Sequence, residues 1–445
     1  MRDVYLLLNR HYLLASIFII IQQLIVASST YFIAKLGEQF GNGVLNIHFI
    51  IAFIVSLIIV YVPAYFSVIY LEKGKYTAWQ NYIAKFNAHF LGKSTLFNNH
   101  TLKQSTTALI SQESKDTIDD MSNTLFDLLA LILNVVFNII VIAFVLDKAI
   151  LLAYGIGMVL SFGLVYLLNN KIDKTATTAQ NARLDLIGKL HHSFDNVVLN
   201  NAYNYKLFKN QIDSQFIKTT TDNITAEKLR YLSATLGMIV LMLPVLGISF
   251  YLFKQHWHNN VILAILIAAL PRQVQLLQMC YTLISYHIGI AMIRARIKGL
   301  FEIFKNNNFD LMPFIQYDNI KVLQTGLAFD KDNLPKTGRM TLIGQNGVGK
   351  SSLLLTLKQK FGDTAYYLPI KHQLCFDNKD THQGSSGQQL IRQLSELKSE
   401  LSGIKILLLD EWDAHLDDKN RKKADKLITK WQGVALVVEV RHRQA

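Results

Sequence analysis

The residues with the clearest chemistry are Gly344, Gln345, Asn346, Gly347, Val348, Gly349, Lys350 and Ser351. Two glycines flank four residues and Lys-Ser follows, which is the spacing of a phosphate-binding loop. An apolar run, Met340 to Ile343, precedes the loop, and a helix-like run, Ser352 to Leu357, follows it. In that strand–loop–helix context the glycines let the backbone wrap around phosphate oxygens, and the helix N-terminus turns its N–H groups toward them. Lys350 is then placed to reach the β- and γ-phosphates, and Ser351 to hold Mg²⁺, with Ser352 beside it. Further on, Ile404 to Leu409 has the pattern of a short buried strand and ends in Asp410-Glu411. A carboxylate at a strand's carboxyl end beside a phosphate loop can hold the Mg²⁺ shell, a role that falls to Asp410. Glu411 can polarise an attacking water as general base. The chemistry expected is Mg²⁺-dependent hydrolysis of a nucleoside triphosphate, ATP.

These residues need a scaffold. From about Ile320 onward, strand-like and helix-like segments alternate, as in a parallel α/β sheet. Upstream the chain is different. Of 445 residues, 51% are hydrophobic and only 17% charged, below the roughly one quarter usual in soluble domains. Six apolar runs, 12–34, 47–71, 124–146, 149–168, 233–253 and 261–288, each approach the ~20 residues needed to cross hydrocarbon. The first is too long and continuous for a removable signal peptide and is expected to remain as an anchor. The expected organisation is a helical membrane domain over 1–300, a linker over 301–319 and a nucleotide domain over 320–445.

Two connections, 72–123 and 169–232, are long, helix-like and basic, with Lys73, Lys85, Lys103 and Lys115 in one and Lys174, Arg183, Lys206 and Lys218 in the other. Arg2 and Arg10 precede the first span. With six spans these charges fall on one side of the membrane, so the N-terminus, both long loops and the C-terminal domain are expected to be cytoplasmic. The same asymmetry accounts for the net charge of +13, 45 basic minus 32 acidic residues, without a nucleic-acid partner. Two cysteines, Cys280 and Cys375, do not make a disulfide framework.

The sixth span is unusually polar, with Arg272, Gln273, Gln275, Gln278, Tyr281, Thr282, Ser285 and Tyr286. Arg272 falls near the middle of the bilayer, where a charge must face a water-filled cavity or a partner. Pro271 before it can kink the helix. Arg272, Gln275 and Gln278 are therefore candidates for a polar substrate pathway, which Gln22 and Gln23 of the first span can share. The alternative is that such groups join helices to one another.

The whole pattern resembles the ABC exporter family, whose membrane helices extend into the cytoplasm as two long loops. Leu96 to His100 is similar to the start of the first loop's coupling segment, and His192 to Val198, running on to Ala202-Tyr203, to the second. Ala414-His415-Leu416-Asp417 resembles the D-loop, with Asp417 its acidic end. Val434 to Val440 is a strand-like run followed by Arg441-His442-Arg443, which makes His442 similar to the switch histidine. Gly384-Ser385-Ser386-Gly387-Gln388 resembles the signature that caps a nucleotide held by the opposite subunit, with Ser385 and Gly387 on the phosphate-facing positions.

The resemblance implies six transmembrane helices joined to an α/β P-loop ATPase, with ATP and Mg²⁺ as cofactors and a bacterial plasma membrane as location. It implies ATP-driven export of a peptide, lipid or amphipathic small molecule. Uptake on the same fold, or nucleotide-gated regulation, are the alternatives. One phosphate loop and one signature per chain imply a second subunit, in a homodimer or a heterodimer. The chain also departs from the family. Gly384 stands for the usual Leu, Ser386 for Gly, and Trp412 for the Pro after the glutamate. Ile370 occupies the Q-loop glutamine position, with Gln373 the nearest substitute, and the stretch from there to the signature is too short for the usual helical subdomain. Tyr317 is the candidate adenine-stacking aromatic. A reduced nucleotide domain is expected, with coupling to the membrane helices the property most affected.

Overall fold

The computed structural model describes residues 8–44, 46–99, 102–103, 106–107, 109–145, 147–190, 192–305, 309–369, 372–377, 386–400, 403–414 and 416–441. The chain forms two compact units, Met1–Ala84 with Ile110–Glu302, and Lys85–Leu109 with Ile303–Ala445.

The first unit is helical. Its helices are α1 (Arg10–Gly41), α2 (Ile47–Ile59), α3 (Tyr61–Phe90), α4 (Ser114–Val145), α5 (Lys148–Leu190), the short α6 (Ser193–Val198), α7 (Ala202–Gln255) and α8 (Asn260–Glu302). Among the described residues, six stretches are long and apolar enough to cross a membrane, with α2 and α3 counted as one, Ile47–Phe90. The interruption at Val60 has a local cause. Pro63 lacks the N–H that would bond the Ile59 carbonyl, and its ring crowds that carbonyl.

Large apolar side chains such as Ile58, Leu152, Val159 and Leu243 are exposed, as expected of faces solvated by lipid rather than water. Val135, Ile139, Tyr154, Leu241, Leu276 and Ile284 form the interior where α4, α5, α7 and α8 meet. On α1, Gly37 and Gly41 bring the backbone against α8. A Cβ at Gly41 would lie 2.6 Å from the Val261 Cα, and one at Gly37 would lie 2.9 Å from the Ala268 Cβ. Small residues four apart allow this approach where no hydrophobic force drives helices together. The unit is that of a multi-pass membrane protein.

The second unit is built on a five-stranded sheet. In chain order it comprises β1 (Lys321–Val322), β2 (Gly338–Ile343), α9 (Lys350–Phe361), β3 (Ala365–Leu368), α10 (Ser386–Glu400), β4 (Ile406–Asp410), α11 (Asp418–Trp431) and β5 (Leu436–Val440). The spatial order is β1-β2-β5-β4-β3, with β1 antiparallel and the other four parallel. Both faces are covered, so β4 and β5 are apolar at nearly every position rather than alternately. Leu408 and Val438 pack with Leu353, Leu354 and Leu357 of α9. Leu407, Leu409 and Val437 pack on the other side with Leu394 of α10 and Ile428 and Trp431 of α11.

Two parts of this unit differ from a simple reading of the chain. Residues 311–319, expected as linker, fold into two tight turns, Met312–Phe314 and Tyr317–Asn319, and bury Leu311 and Ile315. Residues 85–109, from the first long loop, also belong here and carry a tight turn at Ser94–Asn98.

Candidate functional site

The sheet order decides where the chemistry collects. β5 lies between β2 and β4, so the glycine-rich loop after β2 and Asp410 leave the carboxyl ends of strands that are not neighbours. A crevice outside the carboxyl ends of parallel strands is where α/β sheets bind ligands. Gly347 and Gly349 take φ of +88° and +90°, values open to glycine, and α9 begins at Lys350. Lys350 Nζ donates to the carbonyls of Gly344 at 2.8 Å and Gln345 at 3.0 Å. Ser351 Oγ donates to Asp410 Oδ1 at 3.0 Å, and the Tyr367 hydroxyl donates to Asp410 Oδ2 at 2.9 Å.

Burial holds the Asp410 carboxyl above the usual carboxylate range, and the bonds from Ser351 and Tyr367 pull it partway back. The Tyr367 phenol is pushed well above its ordinary value, first by burial and then by the charge of Asp410. Glu411 follows with φ +45°. A non-glycine residue in that region is uncommon and stores strain that the surroundings must hold.

A cavity of about 400 Å³ opens beside the loop. Its lining includes Asn346, Lys350, Ser351, Ser352 and Glu411 together with Asn98, Phe309 and Phe314. The Phe309 and Phe314 rings stack with centroids 5.9 Å apart. Tyr317 is not part of this wall; its ring lies under Lys331 Nζ and its hydroxyl meets Met312 Sδ. Gln345 contributes its carbonyl to Lys350, while Val348 is buried and accepts from Gln316 N at 3.0 Å. Gly344 backs onto the Asn319 carbonyl.

The segment resembling the first coupling element meets this site. Ser94 Oγ lies 3.1 Å from both the Leu355 carbonyl and Gln359 Oε1 of α9. The Phe97 ring stands edge-on to Tyr367, 6.1 Å between centroids. A chain of contacts thus runs from Phe97 through Tyr367 and Asp410 to Ser351. Gln373, the proposed Q-loop substitute, is exposed, and Ile370 lies outside the described residues.

Trp412, the departure after the glutamate, has a physical role. Its Nε1 donates to Glu439 Oε2 at 2.9 Å, and its ring carries the Arg441 guanidinium 5.4 Å from the centroid. Glu439 is fully buried in β5 and also accepts from Arg339, Thr341 and Arg441. Burial works to lower the Arg339 pKa, but bonds to Glu439 and Asp425 outweigh it and raise it. This network ties the residue after Glu411 to the end of β5.

Gly387, Gln388 and Asp417 are not among the residues that line the cavity. Gly387 is packed against Leu416 and Asn420, and Gln388 beside it is exposed. Asp417 caps α11, its Oδ1 accepting from Asn420 N at 2.6 Å. Ser385 and His442 lie outside the described residues.

In the membrane unit, Arg272 donates Nε and Nη2 to Asn138 Oδ1 at 3.1 and 2.7 Å and Nη1 to Gln275 Oε1. Arg272 and Gln275 line a cavity, whereas Gln278 is exposed one turn further on. Gln273 and Gln23 serve between helices, accepting from Ser249 and Asn134.

No family model and no curated protein sequence matches the chain. Among solved structures, a bacterial Atm1-family ABC exporter with ATP bound is similar at a TM-score of 0.64 and 13% identity, covering 98% of this chain and 91% of that one. The chain has an ABC-exporter-like fold. The six membrane-capable helices among the described residues and a small mixed sheet accord with that architecture.

Proposed function

We propose that this chain is one half of an ATP-driven transporter that moves a peptide, lipid or amphipathic small molecule across a bacterial plasma membrane. The observation that carries the reading is a cavity lined by the 346–352 loop and Glu411, whose Ser351 is hydrogen-bonded to Asp410, in a chain with six membrane-capable helices among the described residues. The loop N–H groups and Lys350 bind phosphates at the start of α9. Ser351 Oγ and Asp410 Oδ1, oxygen donors 3.0 Å apart, suit the hard cation Mg²⁺. When bound, Mg²⁺ neutralises charge on the β- and γ-phosphates. Tyr367 keeps Asp410 ionised and oriented, and Glu411 orients and deprotonates water. Phe309 and Phe314 offer an apolar wall for the base.

A single phosphate loop per chain, with Gly387, Gln388 and Asp417 absent from the cavity lining, favours a dimer in which each signature segment completes the partner's site. A homodimer needs no further component, and a heterodimer serves the same geometry. The exposed apolar tip around α6, with Phe194, Val197 and Tyr203, is suited to contact a second chain. In this reading the N-terminus and the nucleotide unit are cytoplasmic. ATP closes two nucleotide units, closure moves the long loops, and hydrolysis resets them.

Steady-state ATP hydrolysis in lipid nanodiscs, wild type beside Glu411→Gln, tests this. Turnover in the wild type that is lost in the variant supports the pump. ATP binding without turnover favours a second reading, nucleotide-gated regulation, which the exposed position of Gln373 also favours. Vesicle transport separates export from uptake.

A further inference from the structure

A cavity of about 390 Å³ lies among α1, α2, α4 and α8 within the membrane spans. Most of its wall is apolar, including Val26, Ile33, Leu57, Val141 and Ala269, and Arg272 stands in that wall. Ser29 and Ser56, also at the wall, donate their hydroxyls to carbonyls of their own helices. Among the described residues, the hydrogen-bond partners of Arg272 are Asn138 Oδ1 and Gln275 Oε1. Both are neutral amides. Asn138 Oδ1 already accepts from Thr30 at 2.5 Å, so one carbonyl oxygen serves three donors with two lone pairs. A full positive charge at membrane depth is costly unless it is balanced, and nothing in this arrangement balances it. A guanidinium has five N–H donors, and three are used here.

We infer that this cavity binds the anionic head of a single-chain amphiphile, with a carboxylate or phosphate monoester on Arg272 and the tail along the apolar wall. The inference rests on the transporter reading for its role, since the amphiphile would be cargo; binding itself needs no hydrolysis. The planar guanidinium matches either head through paired N–H bonds. The volume sits at the low end of the roughly 300–1,000 Å³ of small-molecule sites, which suits one chain or ring system. The polar amides Asn138 and Gln275 orient the guanidinium and leave its charge for the ligand.

The test uses the full-length protein in phosphatidylcholine nanodiscs without nucleotide. Radiolabelled dodecanoate, dodecyl phosphate, dodecanol and dodecyltrimethylammonium are titrated in parallel. The two anions are expected to saturate one site per chain at least tenfold more tightly than dodecanol, and the ammonium not to saturate. Arg272→Gln should remove the preference for anions. Val141→Trp, which fills the apolar part and leaves Arg272, should weaken anion binding at least tenfold.

Equal binding of dodecanoate and dodecanol by the wild type overturns the inference. So does an anion preference that survives in folded Arg272→Gln. Should that variant fail to fold, the wild-type headgroup series and Val141→Trp decide. Competition by phosphatidylglycerol in the disc assigns the ligand to the bilayer, and its failure to compete assigns it to free amphiphiles; both keep the anion site. ATP turnover without anion preference sinks this inference alone, whereas anion preference without ATP turnover keeps the site and sinks the pump.

Discussion

Gly347 and Gly349 share one backbone conformation but differ in surroundings, so alanine at each position separates strain from packing. Their φ values are +88° and +90°, and an L-residue there costs about 1–2 kcal/mol. A Cβ at Gly347 meets nothing within 4 Å. A Cβ at Gly349 would lie 2.1 Å from the Phe314 carbonyl oxygen and 2.9 Å from the Ile315 Cα. Both neighbours are backbone, so the turn over the loop must retreat as a piece. Retreat breaks the Gln316-to-Val348 bond, worth about 1 kcal/mol net. It also loosens buried Ile315, for which part of the roughly 1.5–3 kcal/mol of side-chain burial is lost.

Gly347→Ala should therefore cost about 1–2 kcal/mol and Gly349→Ala about 3–5 kcal/mol. The difference, about 2–3 kcal/mol, corresponds to roughly 30- to 150-fold in affinity. Equilibrium binding of a fluorescent ATP analogue with Mg²⁺ in nanodiscs reads it directly, with thermal unfolding as the control for global stability. Equal affinities in the two variants would refute the claim that the Phe314–Ile315 turn braces the loop at Gly347 and Gly349.

Other perturbations follow from the same contacts. Tyr367→Phe removes a bond to a charged carboxylate worth about 1.5–3 kcal/mol and lets Asp410 protonate more readily. Because Asp410 is already raised by burial, the acid edge of ATP turnover should move to higher pH; an unchanged edge would count against the role of Tyr367. In stability the sign is opposite: the contribution of Asp410 is present below the ordinary carboxyl range and lost as pH rises through its folded value. Arg339→Met strips one partner from fully buried Glu439 but leaves Arg441, so a loss near the lower end of about 3–5 kcal/mol is expected. Adding Glu439→Leu should recover part of it, measured as thermal unfolding in detergent. Phe97→Ala deletes an aromatic contact worth about 0.5–1.5 kcal/mol. It should leave basal ATP turnover in place while lowering its stimulation by cargo, and full stimulation would show that Phe97 does not relay closure.

A glycine-rich loop between strand and helix, the strand ending in Asp410-Glu411 and six apolar spans are all legible in the chain by itself. Each is a local pattern, because glycine spacing, strand length and helix hydropathy act through neighbouring residues. Only the tertiary structure decides that β5 separates β2 from β4, since strand order depends on pairing between distant segments. It places Tyr367 on Asp410, a contact between segments 43 residues apart that no local pattern announces. Residues 311–319 had the look of a linker because their turns carry little periodicity, yet they bury Leu311 and Ile315 and bring Phe314 to the cavity. Glu439 interrupts an apolar strand and becomes intelligible only once Arg339, Arg441 and Trp412 surround it. Arg272 was visible as a misplaced charge, but its partner Asn138 lies on another helix, and no local rule connects residues that far apart.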